Sequence, residues 1–236
     1  MKIEISKLID DRNESLWNEI ISTYNVEILA SPNQEYACFS ISKNVIFYVP
    51  QSNYCPDSFT HELLHVYLRL KEVLIGSNLK FIIARSNVLS RIFNNNLLEH
   101  IGNCLDHIKM LPIYLNLGFN REKFLFDYYE NKCTERELSD IKAYYKDGDR
   151  FNTNAVELYI GKYFAIKADP NIEFDYEGCL LKLKKIDEKL FLVLEGFVSS
   201  WIKYDLENKD IFNDYHKLTD KFYEGLKLWM TKKQFN

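Results

Sequence analysis

Cysteine is sparse in this chain and odd in number. Five residues stand at 38, 55, 104, 133 and 179, and no two have C-x-x-C spacing. That argues against a disulfide framework or a cysteine zinc knuckle and fits free thiols in a reducing compartment. Long apolar runs are missing too. No stretch approaches the ~20 uninterrupted apolar residues of a membrane span. The opening "MKIEISKLIDDRNES" lacks the apolar core of a signal peptide, so the expectation is a soluble cytoplasmic protein with no membrane partner. There is no excess of positive charge. Thirty Lys and Arg against 34 Asp and Glu leave a net charge of −4, and no global basic field to attract nucleic acid. Lys182, Lys184 and Lys185 form one small basic patch, of the kind that is ordinarily a solvated helix face. Glycine (8) and proline (5) are also few. No Gly/Ser/Pro linker, repeat or low-complexity segment divides the chain.

Aromatic side chains are plentiful. Sixteen Tyr and 16 Phe within 47% hydrophobic residues point to a thick, aromatic-packed core. Residues 12–24 carry Leu16, Ile20 and Ile21 at helical spacing, with Asn13 or Ser15 as a cap. Three short β-type runs follow at 26–30, 36–42 and 45–49, the last two separated by Lys43-Asn44 as in a tight hairpin. They predict a small N-terminal antiparallel sheet. Beyond Pro56-Asp57 the pattern is helical almost throughout. Helices are expected at 56–73 and near 79–92, 95–111, 121–130, 134–146, 153–168, 175–185, 187–204 and 209–231. Thr134 and Glu137 have capping-box spacing, and Gly118, Gly148 and Pro170 mark breaks. The fold class is therefore α+β and mostly helical: a sheet-bearing part over about 1–130 and a helical extension over about 131–236.

One apolar helix carries polar residues that packing does not require. "SFTHELLHVYLRL" (58–70) sets His61, Glu62 and His65 among Leu63, Leu64, Val66 and Leu68. H-E-x-x-H on a helix puts the two histidines one turn apart on one face, where both imidazoles reach a single ion. The intervening carboxylate lies beside that ion and can take a proton from a water held there. The competing explanation is a pair of core histidines satisfied by carbonyls, with Glu62 salt-bridged to a lysine. It requires three buried polar groups to find separate partners, each costing about 1–3 kcal/mol if it fails.

A zinc hydrolase needs a third protein ligand and an open position. The second polar cluster is "NNLLEHIGNCLDHIKMLP" (95–112). Glu99, Asn103 and Asp106 share one helix face, and His100, Asn103 and His107 an overlapping one. Spacing alone leaves both Glu99 and His100 as possible ligands.

H-E-x-x-H followed on a later helix by Glu resembles the gluzincin class of zinc metallopeptidases. More narrowly, Glu99-x-x-x-Asn103 with Pro112 thirteen positions after the Glu is similar to the ImmA/IrrE family, whose second motif runs E-x-x-A-N-x-F-A-x-x-L-L-M-P. Gly102, Leu105 and Asp106 stand where that motif has Ala, Phe and Ala. The similarity covers about residues 45–112. It implies a minimal zincin core, with a small sheet packed on the active-site helix, and zinc-dependent cleavage of peptide bonds. It also implies Glu99 as the third zinc ligand beside His61 and His65, and Asn103 as a group orienting a ligand.

The expected chemistry is a zinc metallopeptidase with Glu62 as general base. The catalytic candidates are Glu62 and His107, the latter donating to the oxyanion or orienting Glu99 or Asp106. The strand at 45–49 is expected to border the cleft and to bind an extended peptide or protein substrate by β-augmentation. Tyr159 and Tyr163, at i, i+4, are potential phenolic donors with core packing the commoner use, and isolated His216 reads as structural. Two other classes remain: a metal-dependent hydrolase acting on a non-peptide substrate, and a non-catalytic interaction protein with a structural zinc.

Overall fold

Strand β3 (Asn44–Val49) organises the N-terminal sheet because its alternation is complete. Val45, Phe47 and Val49 are fully buried, while Asn44, Ile46 and Tyr48 face the other way. In this computed structural model, which describes residues 3–52, 54–207 and 214–236, β3 is the central strand. On one side it pairs in parallel with β1 (Asn25–Ala30), from Asn25↔Asn44 to Ala30↔Val49. On the other it pairs antiparallel with β2 (Ala37–Ile41). The β2–β3 hairpin turns at Ser42-Lys43, with Ser42 in the left-handed region at φ 52°. The sheet is thus mixed, which corrects the antiparallel expectation. Alternation reveals which face is buried but is blind to the direction in which β1 joins.

Contacts divide the chain into two compact units interleaved in sequence: residues 1–73 with 109–128, and 74–108 with 129–236. Residues 74–108 therefore sort with the helical unit although they precede residue 130. The first unit holds the mixed sheet, α1 (Glu14–Thr23), α2 (Pro56–Leu70) and the C-terminal end of α5 (Asn95–Asn116). Phe47 of β3 meets Phe59 of α2 edge-on at 5.2 Å, and Trp17 of α1 lies within 6.4 Å of both rings. Asn13 is at the N-cap of α1 without capping it. Its buried amide instead donates to the Leu8 carbonyl and, at 2.8 Å, to the Thr60 hydroxyl, tying the α1 approach to α2. The helix expected at 121–130 is only a 3-10 turn at Arg121–Lys123. Pro112 does not close α5, which runs on to Asn116.

The second unit contains α3 (Ile75–Ile83), α4 (Asn87–Ile92), the N-terminal part of α5, α6 (Glu135–Tyr144), α7 (Thr153–Ala168), α8 (Glu177–Ile186), α9 (Glu188–Lys203) and α10 (His216–Met230). The single helix expected over 79–92 is two, because Ser86 caps α4 by accepting from the Leu89 amide. The Thr134–Glu137 capping box forms at α6. Residues 209–213 of the last expected helix lie outside the described residues. A second small sheet, unforeseen, joins β4 (Lys146–Asp147), β5 (Arg150–Phe151) and β6 (Gln234–Phe235). Its strands are two residues each, too short for an alternation signal. No helix among the described residues is long and apolar enough to cross a membrane.

Candidate metal centre

Helix α2 begins where the sequence provides a start. Pro56 occupies its first turn, Asp57 complements the helix dipole, and Cys55 is extended ahead of it. Phe59, Leu63, Leu64, Val66 and Leu68 are buried in the core. His61, Glu62 and His65 lie on a partly accessible face of the same helix. The two imidazoles approach edge to face with centroids 5.0 Å apart. The Phe124 ring, just past the 3-10 turn, closes on His61 at 4.9 Å.

The third histidine comes from α5. His107 lies two residues before the helix enters the first unit at Lys109, and helix continuity carries it to that unit's edge. The ligating atoms of His61, His65 and His107 all lie within 4.8 Å of one another. Three nitrogens each ~2.0–2.1 Å from a tetrahedral zinc would be roughly 3.4 Å apart, inside that bound. Burial and the neighbouring His65 push the His61 pKa down to about 3, so its imidazole is neutral at ordinary pH. Neutral imidazole is the form that binds metal. The donor set therefore fits zinc.

Glu99 is not in this group. It is exposed, eight residues earlier on α5, and at the helical rise that is about 12 Å along the axis from His107. Asn103 is exposed as well. His100 is exposed, with Nε2 3.1 Å from the Gly161 carbonyl oxygen. It is thus His107, expected to serve the oxyanion, and not Glu99 that the structure groups with His61 and His65. Tyr159 and Tyr163 are core residues of the second unit, donating to the Leu183 carbonyl (2.9 Å) and to Glu195 (2.6 Å). His216 is exposed, its Nδ1 2.6 Å from Asp214.

Glu62 faces strand β2. Both the amide and the thiol of Cys38 hydrogen-bond to its carboxylate. Burial raises its pKa above the usual carboxylate value, and His65, Cys38 and Arg69 pull partly against that rise. A raised carboxyl pKa suits a base that must accept and then release a proton near neutrality. The Cys38 contact is the middle of three polar ties. The Tyr36 hydroxyl accepts from the Cys55 amide at 2.7 Å, and Arg69 donates to the Ser40 hydroxyl. Residues 36, 38 and 40 share one face of the strand, and 55, 62 and 69 recur every two turns of the helix. An alternation of Tyr, Cys and Ser in a strand otherwise apolar was the available sequence signal, and it was missed. Phe124 had none, since its approach to His61 is a long-range contact.

The ties also correct the strand that borders the site. β3, with neighbours on both sides, has no free edge to offer a peptide. Among the described residues β1 and β2 are the two edge strands, and β2 is the one tied to Glu62. No family model, curated protein or solved structure matches this chain.

Proposed function

We propose that this chain is a zinc-dependent hydrolase acting on peptide bonds. The observation that carries the reading is the convergence of His61, His65 and His107, all within 4.8 Å, beside the raised-pKa carboxyl of Glu62. Three histidines would hold the ion and leave one tetrahedral position open. Zinc bound there would supply Lewis acidity, polarising a carbonyl and acidifying water.

The chain's own residues do the rest. Glu62 accepts the proton of the attacking water and returns it to the departing amine. Cys38 holds the Glu62 carboxylate with two hydrogen bonds, which limits its rotation and keeps it aimed. Phe124 walls off one side of His61. The position of β2 at an edge of the sheet supports a peptide substrate, because an extended backbone can add to an edge strand.

The test is Glu62→Gln, assayed for bound zinc, melting temperature and cleavage of a peptide library. The expected outcome is unchanged zinc and stability with turnover lower by roughly 10²–10⁴. Intact zinc with unchanged cleavage would remove Glu62 from the mechanism. If the wild type holds zinc yet cleaves nothing in the library, the peptidase reading fails.

A further inference from the structure

The second unit has a cavity of about 620 Å³ between α6 and α8, in the size range of small-molecule sites. Leu138, Tyr145 and Ile186 give it an apolar lining, and four lysines surround them: Lys142, Lys146, Lys182 and Lys185. Glu135 is the one acidic residue of the lining, and it is already committed to Lys182 at 2.5 Å. Asp187, next in sequence to Ile186, is held by Lys233 at 2.6 Å. Lys146 lies over the Phe151 ring at 4.4 Å, and none of Lys142, Lys146 and Lys185 has an ion-pair partner among the described residues.

Three unmatched ammonium groups around one cavity repel each other, in a chain whose net charge is −4. Solubility does not require such crowding, since exposed lysines spread apart lower their mutual energy. Burial is what chiefly lowers the Lys233 pKa; Asp187 opposes that fall, and Lys146 and Lys189 add to it. A bound oligoanion relieves the repulsion. Phosphate suits it better than carboxylate, because lysine binds phosphate as a point charge and three ammoniums match a group bearing two or more negative charges.

We propose that the α6–α8 cavity binds a ligand of metabolite size carrying at least two phosphate groups, through Lys142, Lys146 and Lys185. The Leu138, Tyr145 and Ile186 surface leaves space for an apolar or aromatic body such as that of a nucleoside diphosphate.

The experiment is calorimetric titration of the full chain with pyrophosphate, ADP and citrate in ~0.15 M salt, where long-range charge effects are screened. Chelator is present so that no zinc reaches the histidines. Saturable binding of pyrophosphate or ADP is expected, weaker by about tenfold or more in Lys142→Glu and in Lys185→Glu. Lys217→Glu, an exposed reversal on α10, should bind as wild type does. All three sites are exposed, and melting temperatures verify that each variant folds. The absence of saturable binding, equal affinity in the cavity variants, or citrate binding as tightly as pyrophosphate would each overturn the proposal.

Discussion

Replacing His107 tests the proposed metal centre most directly, since the sequence pattern points to Glu99 whereas the structure groups His107 with His61 and His65. Folding-coupled zinc sites are worth about 10–16 kcal/mol in total, so one of three or four ligands carries ~3–4 kcal/mol, or roughly 10²–10³ in Kd. His107→Ala should weaken zinc binding by that factor. Glu99→Ala, exposed and about 12 Å along α5 from His107, should change it less than about twofold. The same numbers set a thermal readout. Free zinc at 1,000 times the wild-type Kd stabilises by ~4 kcal/mol, which at this size raises Tm by roughly 8–16 °C. The His107 variant should retain only about 0.4–1.4 kcal/mol of that gain. His107 is buried, so alanine also lowers the stability of the metal-free protein. The zinc-induced shift, measured as Tm with zinc minus Tm with chelator for each variant, separates the two effects. Competition against a chromophoric chelator gives Kd independently. If Glu99→Ala loses the zinc-induced shift while His107→Ala keeps it, the three-histidine centre is wrong and the gluzincin ligand set takes its place.

Metal-free protein should lose stability on acidification. His61 titrates at about 3 when folded against 6.5 ordinarily, so the unfolded chain binds the extra proton between those values. The contribution is complete above pH 6.5, disappears as pH falls toward 3, and is worth ~5 kcal/mol at most. The raised carboxyl of Glu62 acts in the opposite sense above its ordinary value, so the His61 share is the difference between wild type and His61→Phe in urea unfolding. Identical pH slopes would refute it. Asp187→Ala should cost roughly 3–5 kcal/mol, because Oδ2 accepts from Trp229, Lys233 and Tyr145 while Oδ1 caps α9. A loss under ~1 kcal/mol by urea denaturation would mean that the network is not holding the C-terminal β6 segment. Gly102→Ala should destabilise by about 1–3 kcal/mol, since a Cβ there would sit 3.1 Å from the Gly76 backbone, whereas Gly196→Ala, facing open space inside α9, should stabilise by up to ~1 kcal/mol. Equal effects at the two glycines would show that α3 and α5 can separate without cost.

What could be read directly from the sequence was local. His61, Glu62 and His65 sit within one helical turn of each other, so their arrangement follows from the 3.6-residue repeat. Capping at Thr134, the β2–β3 hairpin and the α2 start at Pro56 were legible for the same reason. Errors arose where a local rule met a tertiary contact. The stretch 79–92 kept helical periodicity through a break made by the Ser86 cap, and the helix expected near 95–111 continues through Pro112 to Asn116. Gly102, where the resembling motif has Ala, was only a mismatch in the sequence. In the structure it is the point at which α5 meets Gly76 of α3, a closeness that no Cβ permits without a shift.

The sequence by itself determined the α+β class, the buried face of α2, and two of the three histidines that converge together with the carboxylate beside them. Each depends on residues a few positions apart, whose geometry the backbone sets whatever surrounds it. Tertiary structure alone decided three matters: that β1 joins β3 in parallel, that Cys38 of edge strand β2 meets Glu62, and that His107 and not Glu99 completes the histidine group. A helix presents every face in turn. Glu99 and His107 were therefore equally available on α5, and the choice fell to whichever turn the packing of the first unit brought to α2.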